Sequence, residues 1–176
     1  MVDATIYEPE RFRSAAYLAV LERGDSALSC RFADKAWSDM QHIAAQGYPD
    51  EICGLLVGTT GAEGWLVTEV RQVANLNEER AADRFQLDPA GYQKIDSELR
   101  ASEVEIIGVF HSHPDCPAKP SPTDLNSAWE GFVYPIVSVC DGKVAEVLCW
   151  VTTDDAAAGG KFQKLPHSVE RGTMTP

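Results

Sequence analysis

The spacing of apolar residues places most strands of this chain. Alternating apolar and polar residues predict a strand with one buried face, and a short continuous apolar run predicts a strand buried on both faces. "ALSCRF" and "GWLVTEVRQVAN" alternate, whereas "EICGLLVG" and "VEIIGVF" are continuous. The glycine-rich "GTTGAEG" predicts a turn that pairs "EICGLLVG" with the strand after it. Farther on, "YPIVSVC" and "KVAEVLCWV" flank Asp141-Gly142, a dipeptide typical of tight hairpins, and "KFQKL" follows as a last strand.

Three segments have the apolar spacing and the end signals of helices. Asp88-Pro89 and Ser121-Pro122 each provide an N-cap residue followed by proline at the first helical position. The predicted helices are residues 33–47, residues 88–99 and residues 121–129. The polar segment 75–84 is predicted to be an exposed loop, followed by a short "FQL" strand.

The order of these elements predicts the fold class and the domain limits. We expect an α/β protein of the α+β kind, with a mixed, mostly antiparallel sheet flanked by helices. Residues 28–165 form its single domain. Residues 1–27 form a partly helical N-terminal extension, whose weak helical spacing ends at Gly24. Residues 166–176 are expected to form a loose tail.

The composition excludes several classes of protein. The chain is 44% hydrophobic with a net charge of -12, which argues against nucleic acids and anionic membranes as partners. Its 5 cysteines include no Cys-x-x-Cys pair, so a zinc ribbon and a thioredoxin-like motif are excluded. Cys53, Cys140 and Cys149 lie in apolar runs and are expected to be buried free thiols, as in a reducing compartment. No apolar run is long enough to span a bilayer, and residues 15–21 are too short for a signal peptide, so we expect a cytoplasmic location.

Two of the 4 histidines are one residue apart in "FHSHPDCPAKPSPTD". If the preceding strand continues through them, His111 and His113 point to the same side, with Cα atoms about 6.6 Å apart, and Ser112 points away. Two imidazoles at that spacing can converge on one ion. Zinc accepts histidine nitrogen and carboxylate oxygen, and a catalytic site leaves one of four positions to water. Asp124 is the candidate third ligand, because the loop can fold back and the predicted helix start fixes its carboxylate.

Each part of this pattern also has a purely structural explanation. An isolated His-x-His pair is more often structural or solvated than a pair of ligands. Ser121 and Asp124 fit a helix start, with serine as N-cap and an acid near the positive helix end. Glu51 fits the polar end of a strand, and Cys53 fits a core position. Only the occurrence of all these residues together favours a metal site.

Taken together, the residues resemble the signature of the JAMM (MPN+) metalloprotease family. That signature is an upstream glutamate followed by His-x-His-Pro-x6-Ser-x-x-Asp. The chain has every element at the matching spacing: Glu51, His111, His113, Pro114, Ser121 and Asp124. The resemblance covers residues 28–165 and implies a single MPN/JAMM domain, whose fold is of the cytidine-deaminase-like type. "EICGLLVG" is most similar to the compact prokaryotic members, which include enzymes that act on ubiquitin-like proteins and on sulfur carriers.

The resemblance implies a zinc-dependent peptidase or isopeptidase. One Zn²⁺ per chain would be held by His111, His113 and Asp124, with water in the fourth position. Glu51 would take a proton from that water and pass it to the leaving amine, and Ser121 would donate a hydrogen bond to the developing oxyanion. The implied partner is a ubiquitin-like or sulfur-carrier protein, cleaved after its C-terminal Gly-Gly. An extended Gly-Gly tail can enter a narrow groove and can add to a sheet edge as a strand.

Several alternatives remain open beside this hypothesis. One is a sulfur-carrier adduct hydrolase that releases cysteine, and another is a non-catalytic MPN interaction module. A zinc nucleobase deaminase is set aside, because its His-x-Glu and Pro-Cys-x-x-Cys signatures are absent. A homodimer is a candidate assembly. Segment 75–84 either flanks the substrate groove or is a simple connection, and Trp129 is expected in the core. Cys116 is expected to be a loop thiol without a role rather than an inhibitor that reaches the zinc. Residues 1–24 either pair chains, cover the groove or have no detectable role.

Overall fold

A single nine-stranded sheet forms the centre of the protein, in the order β1-β8-β7-β6-β5-β3-β4-β2-β9. The structure is a computed structural model and describes residues 6–154 and 157–172. The strands are β1 Leu21–Asp25, β2 Ser29–Ala33, β3 Cys53–Gly61, β4 Gly64–Val73, β5 Glu105–Pro114, β6 Val133–Cys140, β7 Lys143–Thr152, β8 Phe162–Leu165 and β9 His167–Glu170. The helices are α1 Ala15–Ala19, α2 Asp34–Gly47, α3 Pro89–Leu99 and α4 Pro122–Asn126, and a 3₁₀ turn spans Glu10–Arg13.

The predicted mixed sheet is confirmed. Its three longest ladders, β3 with β4, β6 with β7 and β3 with β5, are antiparallel. Strands β5 and β6 run parallel, and so do β2 and β4. Because β3 is antiparallel to β5, the start of β3 lies beside the end of β5. Residues that precede β3 therefore meet residues that end β5.

Each face of the sheet carries a hydrophobic core. Helix α2 covers one face with Ala36, Met40 and Ala44, which are buried beside Phe110 and other residues of the first core cluster. Helix α3 covers the opposite face with Ile95. Alternation along β3 and β5 sends successive side chains to opposite cores. This double burial accounts for the continuous apolar runs of these two strands.

The C-terminal tail differs from its predicted form. A loose tail was expected, but β9 pairs in parallel with β2. The backbone N–H of Cys30 also donates to the carbonyl of Pro166 at 2.9 Å. Without β9, strand β2 would present an unpaired edge, so the pairing satisfies backbone groups of both strands. The prediction was wrong for His167–Glu170, and residues 173–176 lie outside the described residues.

Three smaller expectations were also wrong. Helix α4 ends at Asn126 rather than near residue 129. Residues 85–87 form only an isolated bridge, between Leu87 and Asn75, rather than a strand. Cys140, expected to be buried, lies beside the turn of the hairpin and is only half-buried. It is a free thiol, as are the other four cysteines. Across the two described ranges, no helix combines the length and the apolarity that a bilayer crossing requires.

Candidate metal centre

The last residues of β5 bring the two histidines together. His111 and His113 are buried on the same face of the strand, and their Nε2 atoms are 3.0 Å apart. Ser112 points the other way, as predicted. Its Oγ accepts a hydrogen bond from the backbone N–H of Ile52 at 2.9 Å, and its own N–H donates to the Ile52 carbonyl at 3.0 Å. The serine between the histidines thus fixes β5 to the segment that contains Glu51.

The start of α4 brings the carboxylate of Asp124 to the histidines. Ser121 is the N-cap: its Oγ accepts from the Asp124 N–H at 3.1 Å, and its own N–H donates to Asp124 Oδ2 at 2.7 Å. This capping box fixes the carboxylate. Asp124 Oδ2 lies 3.6 Å from His111 Nε2 and 4.0 Å from His113 Nε2.

These three side chains fit a tetrahedral metal ion. Their ligand atoms all lie within 4.8 Å of one another. With metal–ligand bonds of about 2.0–2.1 Å, two ligands of a tetrahedral zinc are about 3.3 Å apart, close to the separations found here. Two nitrogens and one carboxylate oxygen are the donor set of a catalytic zinc site with one position left open.

The two imidazoles are oriented in different ways. His113 donates from Nδ1 to the carbonyl of Pro117 at 2.8 Å, which leaves the Nε2 lone pair free for an ion. The ring of His111 stacks on Phe85, with ring centroids 4.6 Å apart. Among the residues that the structure describes, no hydrogen-bond partner meets His111 Nδ1. Asp115 lies in the turn that follows β5, and its carboxylate accepts a hydrogen bond from the Tyr48 hydroxyl at 2.8 Å.

Glu51 lies across from His113. Cys53 pairs with His111 in the antiparallel register of β3 and β5. Two residues before Cys53, the same register brings Glu51 opposite His113. Its side chain is buried, and Oε1 is 3.9 Å from His113 Nε2. Both backbone polar groups of Glu51 form hydrogen bonds. Its N–H donates to the carbonyl of Ala81, and its carbonyl accepts from Asn75 Nδ2 at 2.9 Å.

Burial controls the protonation of the cluster. Removal from water raises the pKa of Glu51 to about 8, with a further rise from Asp124 and opposition from His111. For His113 burial has the opposite effect: it lowers the pKa to about 4, and the neighbouring charge of His111 lowers it further. For His111, burial favours the neutral ring, but the Asp124 carboxylate outweighs it and raises the pKa. Without an ion, the Asp124 carboxylate therefore favours the protonated form of His111, 3.6 Å away.

The cluster opens into a cleft of about 260 Å³. Residues 80–85 form one wall, so of the two alternatives left open for segment 75–84, its second half fulfils the one in which it flanks the groove. The N-terminal extension forms another wall, through Arg11, Phe12 and Tyr17. Covering the groove was one of the three possibilities that the sequence left open for this extension. The available signal was Phe12, an apolar residue in a polar segment, which is buried.

The remaining candidate residues have mixed outcomes. Ser121 lines the cleft beside Asp124. Cys116 also lines it, but its thiol accepts from Arg11 Nη2 at 3.4 Å and is not part of the ligand cluster. Trp129 was expected in the core and is instead 50% exposed, because α4 ends before it. Its ring packs edge-on against Tyr92 and Phe132.

Comparison with known proteins identifies the family. The model of the prokaryotic homologs of the JAB domain matches residues 33–153. The chain belongs to this family. It is 32% identical over 146 residues to a desampylase of Haloferax volcanii, an alignment that covers 82% of this chain and 96% of that protein. It is 31% identical over 115 residues to a CysO-cysteine peptidase of Mycobacterium bovis, covering 64% and 75% of the two chains.

A solved structure agrees with the fold. A protein of Desulfitobacterium hafniense superposes with a TM-score of 0.67 at 24% identity, covering 82% of this chain and 95% of that one. The JAMM-type resemblance inferred from the signature residues is therefore confirmed at the level of family and fold. The N-terminal wall of the cleft precedes the matched range of the family model.

Proposed function

We propose that this JAB-family protein is a metal-dependent peptidase or isopeptidase that cleaves after the C-terminal Gly-Gly of a ubiquitin-like or sulfur-carrier protein. The observation that carries the proposal is the buried Glu51 carboxylate, 3.9 Å from a ligand histidine of a three-residue cluster, at the base of an open cleft. A metal site with an adjacent buried proton acceptor is the arrangement that metal-assisted hydrolysis requires.

Zinc is the metal that this donor set favours. His111, His113 and Asp124 would hold one ion and leave one position open. When bound, the metal supplies a water of lowered pKa and polarises the carbonyl under attack. The hydrogen bond from His113 to Pro117 supports this assignment, because it keeps the ligand nitrogen of that ring unprotonated.

Glu51 moves the proton during the reaction. Its carboxylate takes a proton from the attacking water and returns that proton to the amine that leaves. Burial raises the pKa of Glu51 to about 8 in the metal-free cluster, and a bound cation would lower it towards the range in which the group can both accept and donate a proton at neutral pH. The two backbone hydrogen bonds of Glu51, to Ala81 and from Asn75, keep the carboxylate in position.

Ser121 donates to the oxygen that becomes negative. Its Oγ accepts the Asp124 N–H as a helix cap, which leaves the hydroxyl proton available. The two roles of Ser121 are thus compatible. A hydroxyl is both donor and acceptor. Capping of α4 uses a lone pair of the Ser121 Oγ, so its proton stays available for a hydrogen bond in the cleft.

The similarity to a desampylase and to a CysO-cysteine peptidase supports a carrier protein as substrate. A Gly-Gly terminus has no side chains to accommodate beside the cluster, so it suits a cleft of about 260 Å³. Release of cysteine from a sulfur-carrier adduct is the second candidate, favoured by the similarity to the CysO-cysteine peptidase. The complete cluster argues against a purely non-catalytic module. A cytoplasmic location and a homodimer stay predictions.

A cleavage assay tests this proposal. A panel of ubiquitin-like and sulfur-carrier proteins, each ending in Gly-Gly, is offered as linear fusions, as lysine conjugates and as single-cysteine adducts. We expect at least one carrier to be cut after Gly-Gly, activity to vanish with a chelator and to return with added zinc. Failure to cut any member of the panel by protein with stoichiometric zinc would favour the interaction module instead.

A further inference from the structure

The N-terminal arm, residues 6–25, is fastened to the domain at several points. Phe12 is buried, and its ring centroid lies 6.3 Å from that of His113. Glu8 pairs with Lys119 at 3.0 Å, within the loop between the histidines and α4. At the other end, the backbone N–H of Phe162 donates to the Val20 carbonyl at 2.7 Å, where β1 joins β8. The arm is therefore a fixed wall of the cleft.

This wall presents Arg11 to the cleft. Arg11 lines the cleft together with Glu51 and His113, and its Nη2 donates to Cys116 Sγ at 3.4 Å. Its guanidinium also lies 5.2 Å from the centroid of the Phe12 ring. Burial raises the pKa of Cys116, so the thiol is neutral and is a weak acceptor. A carboxylate in the cleft would displace it as the partner of the guanidinium.

Arg11 lines the cleft without an ion pair to an acidic residue of the described chain. Arg13, two residues away on the same turn, pairs with Glu8, and Arg80 on the opposite wall pairs with Asp83. Within residues 6–154 and 157–172, no carboxylate forms an ion pair with Arg11. Arg84 on the opposite wall likewise forms no ion pair in the described ranges, and Arg11 differs from it by contacting Cys116 in the loop after His113.

We propose that Arg11 is a specificity residue that binds the α-carboxylate of the leaving group. The preferred substrate is then a carrier protein whose terminal glycine is joined to the α-amino group of a single amino acid. This inference rests on the proposed function and narrows its substrate class. A planar guanidinium can bind a carboxylate through two parallel hydrogen bonds, which gives both affinity and orientation.

The position of Arg11 matches the leaving side of the scissile bond. In hydrolysis the water oxygen bonds to the glycyl carbonyl carbon, the C–N bond breaks, and the leaving nitrogen takes the proton that Glu51 returns. The α-carboxylate lies only two bonds from that nitrogen, so its binding group must be near Glu51. Arg11 meets this condition, because it lines the cleft with Glu51 and contacts the loop that follows His113. The lysine side chain of an isopeptide has no carboxylate so close to its leaving nitrogen.

Paired substrates test the inference without altering the protein. A carrier protein ending in Gly-Gly is extended by one cysteine and prepared as the free acid and as the carboxamide. Because charge-assisted hydrogen bonds are at stake, we expect kcat/KM to be about ten- to a hundredfold higher for the acid. Equal rates for acid and amide would overturn the inference and leave the proposed function standing. No cleavage of either substrate by protein that cuts a lysine conjugate of the same carrier would also overturn the inference, whereas failure on every substrate of the panel would contradict the proposed function itself.

Variants then assign the preference to Arg11. In Arg11→Met, the acid-to-amide ratio of kcat/KM should fall to about one, and Arg11→Lys should restore part of it. Arg13→Met is the matched control, since Arg13 is on the same turn and does not line the cleft, and it should keep the full ratio. A ratio unchanged in Arg11→Met, or lost only in Arg84→Met on the opposite wall, would overturn the assignment.

Discussion

At the scale of single residues, the site depends on one carboxyl group kept out of water. Glu51 is buried beside His113 because Ser112 fastens the two chain segments together from the other face. Burial raises the pKa of Glu51 to about 8, above its ordinary value of 4.5. The carboxyl group is therefore held in its acid form at a pH where an exposed glutamate is ionised.

The pH dependence of stability follows from this shift. In metal-free protein, the folded state keeps a proton on Glu51 that the unfolded state releases, so stability falls as pH rises between 4.5 and about 8. Between about pH 5.5 and about pH 7.5, the wild type should lose about 2 kcal/mol more unfolding free energy than Glu51→Gln. Urea unfolding of both proteins with a chelator measures this. Parallel pH profiles for the two proteins would contradict the assigned burial.

The role of the Ser121 hydroxyl as a hydrogen-bond donor can be tested separately from its role as the N-cap of α4. Glycine at an N-cap costs only a few tenths of a kcal/mol, so Ser121→Gly removes the donor and nearly preserves α4. We expect kcat to fall about a hundredfold with little change in the melting temperature. Ser121→Thr, which keeps a hydroxyl, is the control and should retain most activity. Full kcat in Ser121→Gly would remove this residue from the proposed chemistry.

The residues of the cluster were predictable from sequence, and the groups around them were not. His111, His113 and Asp124 were found because strand alternation and a helix cap fix local geometry. Pro117 and Phe85, which orient the imidazoles, depend on loop paths that no local spacing encodes. Arg11 was missed for a similar reason, since the arm reaches the cleft only through tertiary contacts.

At the scale of elements, the strands were predicted better than the ends of elements. The Asp141-Gly142 hairpin formed because both residues adopt positive φ, of 51° and 72°, as its turn type requires. Helix α4 is shorter than predicted, so Trp129 is exposed rather than buried. The pairing of β9 with β2 is non-local and carries no signal in the tail itself.

The strand that carries the histidines depends on a close backbone approach. A Cβ atom at Gly108 in β5 would overlap the Val133 carbonyl oxygen and lie 2.8 Å from Val133 Cγ1. Gly108→Ala should therefore lower the unfolding free energy by about 2 kcal/mol or more, measured by urea unfolding. Gly61→Ala, at a position with nothing within 4 Å, is the matched control and should cost little. Comparable losses in the two variants would contradict the register of β5 with β6.

At the scale of the whole molecule, the fold brings distant segments to one centre. The start of β3, the end of β5 and the start of α4 meet beneath the cleft, and the N-terminal arm closes one side of it. Family membership accounts for the fold and for the cluster, while the arm lies outside the matched range. The cluster thus lies within the matched range, and the substrate preference proposed for Arg11 would come from a segment outside that range.

The central claim is that His111, His113 and Asp124 would hold a zinc ion, and that Glu51 takes the proton of the attacking water beside it. The most direct test measures zinc content and carrier cleavage on the same preparations of wild type and Glu51→Gln. The account predicts one zinc per chain in both proteins, with hydrolysis lowered at least about a hundredfold in the variant. Full activity in Glu51→Gln, or full activity of the wild type without bound metal, would contradict it.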